Sequence, residues 1–454
     1  MHHRCVVSTA CPSCAAPLDF AEGTHAVQCR YCRSHLLVTG RKQVLSYAVT
    51  PSLDAQRAVT LALEAQPAEG KLCRVTNQQL YFIPYYRLTG QELRWEREPR
   101  ETPSAFSSLH DHPQLAVALA LAGGGKKPHT REKIGLKDRH VEKNFIACPL
   151  SGVGLYSLGV RPAVLRLTLF HRPTLESWGK IVAVGVTVDE ARSRGLQTDD
   201  AQIVSRTVVG QVLSVIYFPF WVIAVERRQE PTLTIIDAVS QTVVAVAAPF
   251  SLYTTLEQAQ PAGPRIVGFR PLLCPNCGWD LPVRPDDVVF FCATCHKAWL
   301  LQGNSLDEVP CQIIAAPNER EPQLLTYLPL WMLRMRRGQK GIAPFFLPAF
   351  RYRRVKALLD FARKLSAQQP VLPAFQGTSP AVHGCYYDQE DAVAFARFAL
   401  AGEAVQSHGE PKLAKQEQEP CAQRATLLWY PFKRQGNLLI DPSTGLHLSY
   451  NLLI

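Results

Sequence analysis

Apolar residues gather in short runs separated by polar turns, the pattern of many brief strands, and fall at helical spacing in only a few places. One aromatic-apolar run recurs four times, each copy broken by a single proline. The copies are Tyr81-Phe82-Ile83-Pro84-Tyr85-Tyr86, Tyr217-Phe218-Pro219-Phe220-Trp221, Tyr327-Leu328-Pro329-Leu330-Trp331 and Trp429-Tyr430-Pro431-Phe432. Proline cannot donate to a sheet ladder, so inside a strand it belongs on an edge, at a start or at a bulge. Each copy is therefore expected to be a strand entering a small sheet, bent at its proline. After the second copy comes Ile235-Ile236-Asp237, and after the fourth Leu439-Ile440-Asp441 followed by Pro442-Ser443-Thr444-Gly445. An aspartate ahead of such residues accepts from the next backbone N–H groups and sets a turn, which predicts meanders. Core packing is the ordinary role for these aromatics; a groove lined by the four strands is the alternative.

Helical spacing marks Asp54 to Ala65, with Asp54 as cap, Val355 to Leu365, and Gln389 to Leu400, whose acidic start and late Arg397 suit the helix dipole. Asp388, Glu390 and Asp391 read as that last helix's start, and Val188-Asp189-Glu190-Ala191 as the opening of a matching helix.

A length of 454 residues predicts two to four domains. With 47% hydrophobic and 19% charged residues, wholesale disorder is excluded. The opening Met1-His2-His3-Arg4-Cys5 has no apolar core, so no secretory or transit signal is expected. The longest apolar stretch, Val208 to Val225, is interrupted by Gln211 and Pro219 and reads as buried strand, not as a membrane span.

Cysteine supplies the clearest chemistry. Eight of the 14 cysteines form four Cys-x-x-Cys pairs. Cys11, Cys14, Cys29 and Cys32 make one set, and Cys274, Cys277, Cys292 and Cys295 repeat its spacing. Two cysteines three apart in a tight turn aim both sulfurs at one ion, and two such turns complete a tetrahedron. Apolar positions also match between the sets: Leu18 with Leu281, Phe20 with Val283, Val27 with Phe290, and Leu37 with Leu300. Gly278 after one knuckle suits a positive φ; Ala15 stands in that place in the other and is expected to strain it. Two structural Zn2+ ions in closed all-cysteine sites follow, with iron in a rubredoxin-like site as the rival. Each loaded site carries −2, so the formal charge of +11 falls to about +7. Paired thiols of this kind also imply a reducing, cytoplasmic setting. Cys5, Cys73, Cys148, Cys311, Cys385 and Cys421 stand outside the pairs and read as small buried hydrophobes.

The fold class expected is α+β, with a tandem duplication: each zinc ribbon is followed by a mixed or antiparallel small-sheet domain with a few helices. The divisions are ribbon 1 at 1–45, a first α+β domain at 46–262 with a mobile insert at about 96–140, ribbon 2 at 263–305, and a second α+β domain at 306–454 with a mobile loop at about 402–424. The segment 258–264, Gln-Ala-Gln-Pro-Ala-Gly-Pro, reads as the hinge.

The Cys-Pro-x-Cys knuckles resemble transcription-factor-B-type and rubredoxin-like ribbons. Together with the Tyr-x-Pro-aromatic strands they resemble a group of bacterial zinc-ribbon proteins without an established activity. That resemblance implies a zinc-binding cytoplasmic protein and supplies no catalytic residues. The chain departs from the pattern at Ala15, and at Tyr86 and Lys433 where tryptophan would stand.

For function, the sequence favours a non-enzymatic scaffold whose ribbons present surfaces to protein partners. The alternative is nucleic-acid binding through Arg334, Arg336, Arg337, Lys340, Arg351, Arg353, Arg354 and Lys356, with bases stacking on the aromatics of the neighbouring strand. Catalysis is disfavoured. His-Glu-x-x-His, Gly-x-Ser-x-Gly and phosphate-loop motifs are missing, and His110-Asp111-His112 and Gly123-Gly124-Gly125-Lys126 read as surface loops.

Overall fold

The structure, a computed structural model, describes residues 5–66, 73–97, 134–148, 165–197, 202–227, 230–249, 252, 256, 267–316, 325–336, 342–408 and 425–454. Its first half runs β1 (Val6–Ala10), β2 (Pro17–Ala21), β3 (Ala26–Gln28), β4 (His35–Val38), β5 (Leu45–Val49), α1 (Ala55–Glu64), β6 (Cys73–Arg97), β7 (Ile134–Ile146), β8 (Arg166–Leu169), α2 (Arg172–Trp178), β9 (Lys180–Ile181), α3 (Val188–Leu196), β10 (Ile203–Arg227), β11 (Glu230–Asp237) and β12 (Val243–Ala248). The second half runs β13 (Phe269–Pro271), β14 (Val289–Phe291), β15 (Ala298–Gln302), β16 (Ser305–Val309), β17 (Cys311–Ile313), β18 (Leu325–Arg336), β19 (Ile342–Pro348), α4 (Val355–Gln368), α5 (Gln389–His408), β20 (Thr426–Gln435), β21 (Leu438–Ile440) and β22 (His447–Ser449).

The protein is α+β. Among the described residues it has, in place of two small sheets, a mixed sheet of ten strands in the first half and one of six in the second, beside two sheets of three strands each. The size comes from β6 and β10, each 25 residues long. The insert expected at 96–140 is narrower than the sequence pattern suggests: Glu96 and Arg97 end β6, and residues 134–140 open β7. Residues 98–133 lie outside the described residues, as do 409–424, the hinge at 258–264, Cys421, and the His110-Asp111-His112 and Gly123-Gly124-Gly125-Lys126 motifs. Among the described residues no helix is long and apolar enough to cross a membrane, and Val208 to Val225 lies within β10.

The helix starts follow the sequence. Asp54 Oδ1 accepts from the Arg57 N–H at 2.8 Å, and Thr187 Oγ1 from Glu190 at 3.3 Å. Asp388 and Asp391 cap each other's N–H groups at the head of α5, at 3.4 and 2.8 Å.

The four proline-aromatic strands are not edges. They form the centres of the two sheets in antiparallel pairs, β6 with β10 and β18 with β20. Proline survives there for a local reason. A strand residue's N–H and C=O face the same neighbour, and each proline faces the point where one neighbour ends and another begins. Beside Pro84, β9 pairs with Tyr81–Phe82 and β7 resumes at Tyr85. Beside Pro219, β5 stops at Tyr217 and β11 resumes at Phe220. Beside Pro431, β17 stops at Trp429 and β21 resumes at Lys433. Beside Pro329, a bridge to Val382 lies at Tyr327 and β19 resumes at Leu330.

The two pairs share one register. Pro84 lies opposite Tyr217 and Pro219 opposite Phe82; Pro431 lies opposite Tyr327 and Pro329 opposite Trp429. Pro84 C=O accepts from Ala147 at 2.8 Å and Pro329 C=O from Ala349 at 2.9 Å. The carbonyls of Ala147 and Ala349 then each accept from two successive N–H groups, Gly185 and Val186 in one case and Tyr386 and Tyr387 in the other, directly before α3 and α5. Asp237 and Asp441 close the same turn, taking N–H bonds from Val239 (2.7 Å) and Ser443 (2.9 Å), with Gln241 and Gly445 at positive φ.

The layers differ between halves. Ribbon 1 covers the sheet face of Tyr81, Ile83, Phe218 and Phe220, and α1, α2 and α3 cover the face of Phe82, Tyr86 and Tyr217. In the second half α4 covers the face matching the former, with Leu328, Leu330, Tyr430 and Phe432. Ribbon 2 and α5 cover the face of Tyr327, Trp331 and Trp429. That core also receives Leu93, Trp95, Leu136 and Val209 from the far end of the first sheet, and Trp95 Nε1 donates to the Phe398 carbonyl at 3.1 Å.

Candidate metal centres

The cysteines of each set meet. Each offers one sulfur, and within a set all four sulfurs lie within 4.8 Å of one another. In ribbon 1, Cys11 is 3.8 Å from Cys32 and Cys14 is 3.7 Å from Cys29. In ribbon 2, Cys274 to Cys295 and Cys277 to Cys292 are both 3.5 Å. Metal–sulfur bonds of about 2.3 Å place the corners of a tetrahedron about 3.8 Å apart, so the residues fit a four-coordinate ion. A disulfide needs about 2.05 Å, and neither pairing approaches it. Four protein sulfurs fill a tetrahedron, which leaves no coordination position for water or substrate.

The chain folds each pair into the same knuckle. The N–H groups of Ala15 and Gly278 return to the carbonyls of Cys11 and Cys274 at 2.8 and 2.9 Å; those of Arg33 and His296 return to Cys29 and Cys292, both at 2.9 Å. Each of these four residues sits at positive φ, from 60° to 77°. Ala15 (φ 60°) thus adopts the conformation that Gly278 adopts without a side chain to strain it. Arg33 and His296 occupy the equivalent position of the second knuckles, a pair of left-handed residues that no glycine signals.

These turns aim N–H groups at the sulfurs. Burial opposes ionisation of Cys11, but the N–H groups of Ser13 and Cys14 hold its thiol below the ordinary value. The Ser34 hydroxyl, 3.1 Å from the Cys32 sulfur, and the Ser34 N–H bring Cys32 down to about 6. Cys274 is buried, yet the N–H groups of Cys277 and Asn276 bring it to about 7. The Ala16 N–H favours ionisation of Cys14, but burial and the adjoining thiols prevail and raise it to about 12. Cys277 goes the same way beside the Trp279 N–H. Four thiols this close ionise together only around a cation. The Ser34 hydroxyl is a side-chain outer partner that the cysteine spacing does not reveal.

The two ribbons touch. β13, just ahead of Cys274, pairs antiparallel with β4 of ribbon 1, and Leu272, Leu281, Phe290 and Trp299 pack against Ala26 and Leu37. Arg41 extends the contact, donating to the Leu301 carbonyl at 2.9 Å and to Asp388 at 2.5 Å. Asp391 accepts the Gly210 N–H from the first sheet at 2.8 Å. A cavity of about 370 Å³ lies at this junction, lined among others by Arg41, Lys42, Gly210, Tyr386 and Asp391.

The remaining sequence candidates separate. Tyr327 and Trp331 are buried, so no base can stack on them, and core packing is their role. Arg351 pairs with Asp286 at 2.8 Å and lies over the Tyr386 ring. Arg334, Arg353, Arg354 and Lys356 are exposed; the Arg336 side chain, Arg337 and Lys340 lie outside the described residues. Cys5, Cys148 and Cys385 are buried, and burial pushes the Cys5 thiol up to about 12, which disarms it as a nucleophile.

No family model matches the chain, and neither curated proteins nor solved structures give a match.

Proposed function

We propose that the protein is a cytoplasmic zinc-binding scaffold that acts by contact and not by catalysis, with its two ribbons as rigid tabs for protein partners. One observation carries this: each ribbon exposes a large aromatic beside its cysteine tetrad. Tyr31 lies between Cys29 and Cys32 and is 68% exposed; Trp279, two residues after Cys277, is 64% exposed. Aromatic side chains on rigid supports are the usual anchors of protein interfaces. The closed ligand sets support a structural ion over a catalytic one. The shared register of the two proline-aromatic pairs and the repeated bonding at Ala147 and Ala349 support descent of the halves from a tandem duplication. A likeness to bacterial zinc-ribbon proteins remains part of this proposal.

Elemental analysis of the purified chain tests the metal: two zinc ions per chain are expected, and iron would replace the structural reading with electron transfer. A photo-crosslinking residue placed at Tyr31 or Trp279 tests the contact: each should give a discrete protein adduct in cells. No adduct at either position, with both metals present, would sink the scaffold reading alone.

A further inference from the structure

Beyond the helices that cover its middle, the first sheet continues as three strands, β10, β6 and β7. One face of this extension docks on the second half through Leu93 and Trp95. The opposite face carries charge. Arg94 of β6 lies directly opposite Arg206 of β10 on one side and Lys137 of β7 on the other, so three cations share one cross-strand row. Like charges directly opposite destabilise a sheet. The next row sets Glu92 opposite Arg139, and the half-exposed Lys143 lies further along β7 on the same face, opposite Leu88, where its Nζ donates to the Gln197 carbonyl at 3.2 Å.

Among the described residues, few carboxylates share this face. Glu92, fully buried, holds Arg206 and also Arg139 at 2.5 Å, and Glu96 holds Arg94 and Lys137, both at 3.0 Å. Among the described residues four cations thus share two carboxylates, and Lys143 adds a fifth positive charge to the face. Among the described residues Arg94 Nε is buried without a hydrogen-bond partner, with the Glu92 carboxylate 3.7 Å away. Burial and the charge of Arg206 hold Lys143 below its usual range. Lys137 and Arg139 remain 59% and 49% exposed and point outward. Two residues apart on a strand, they stand about 6.8 Å from each other.

We infer that this face is a binding site for the phosphate backbone of nucleic acid, with Lys137, Arg139 and Lys143 as the outer contacts and Arg94 and Arg206 as the fixed charge beneath them. A protein interface wants an apolar or aromatic anchor at its centre, and these rows offer none, since Val141 and Val208 are buried. Phosphate contacts need only cations, and without an exposed aromatic the binding is independent of sequence. None of these side chains belongs to a ribbon, so the inference stands apart from the metal reading.

The test uses the full-length, metal-loaded protein and a labelled 20-base-pair duplex, followed by fluorescence anisotropy across a salt series. Wild type should bind with a steep salt dependence. The Lys137→Gln/Lys143→Gln variant, altered only at lysines on the outer strand, should bind about fivefold or more weakly, and the slope of log K against log salt should fall by about 1.8, or 0.9 per lost phosphate contact. The Arg353→Gln/Arg354→Gln variant should bind as wild type does. The inference is overturned if wild type fails to bind at low salt, if the lysine variant keeps wild-type affinity and slope, or if the arginine variant is the one that loses binding. Equal competition by poly-glutamate would also overturn it, in favour of an acidic protein partner.

Discussion

Glu22, in the turn between β2 and β3, has its carboxylate buried against Arg87 and the Ser214 hydroxyl, and Arg87 reaches on to Glu142 at 3.1 Å. This group fastens ribbon 1 to the first sheet through charge as well as apolar contact. Truncating one partner strands the other in a low-dielectric site. Arg87→Ala should therefore cost about 3–5 kcal/mol, read as a lowered urea midpoint; a change under 1 kcal/mol would mean that water reaches Glu22. Asp287 behaves differently. It is packed against Gly384, and burial raises its carboxyl to about 7 despite the nearby Arg284. An unfolded aspartate titrates near 3.9. Across that interval the folded protein keeps a proton that the unfolded chain has released, so stability falls as pH rises, until the folded group has also ionised. Between pH 6 and 8 the wild type should lose about 1 kcal/mol that Asp287→Asn retains. Parallel stability profiles for the two proteins would show that Asp287 is ionised throughout.

The proline positions decide what the strands tolerate. Pro329 is buried and faces the gap between the bridge to Val382 and the start of the β19 pairing at Leu330. Pro329→Ala puts an N–H there and should cost about 1–3 kcal/mol, although alanine is otherwise the more permissive strand residue. Equal or greater thermal stability in that variant would place an acceptor in the gap. Local signals of this kind were legible in the sequence: the knuckle spacing, the aspartate turns at Asp237 and Asp441, and the helix starts at Asp54 and Asp388. The length of β6 was not. Its outer part contains Gln91, Glu92, Arg94 and Glu96, polar residues that carry no strand signal of their own; Arg139 and Arg206 arrive from other strands to hold Glu92. The sequence pattern puts the prolines at an edge, a strand start or a bulge, because proline has no N–H to give to the ladder. The structure meets the same rule inside the sheet by ending one neighbour and beginning another.

At the scale of the whole molecule, the division into four units understates the interlocking. β4 of ribbon 1 takes its outer partner from β13, and the core around Trp331 takes Trp95 from the first half. Damage to ribbon 2 should therefore spread. Changing Cys274 and Cys277 to serine should remove one metal equivalent. It should also speed loss of the other to a chelator by about tenfold, since β13, Leu272 and Leu281 brace ribbon 1. Retention of both metals would refute the ligand assignment. Unchanged chelation kinetics at ribbon 1 would show that its own sheet suffices. The faces of the two sheets that match in register carry different layers, which is why chain order foretells the strands of the second half but not the position of its ribbon.

The β4–β13 pairing also has a consequence in time. Residues up to Val38 are made long before Phe269, and at the usual pace of synthesis the interval is on the order of 10–50 s. Throughout it, ribbon 1 leaves the ribosome with one strand edge unclosed and all four of its cysteines already made. That set of thiols is therefore open to an ion before the second set exists, an order of availability that runs from the N-terminus.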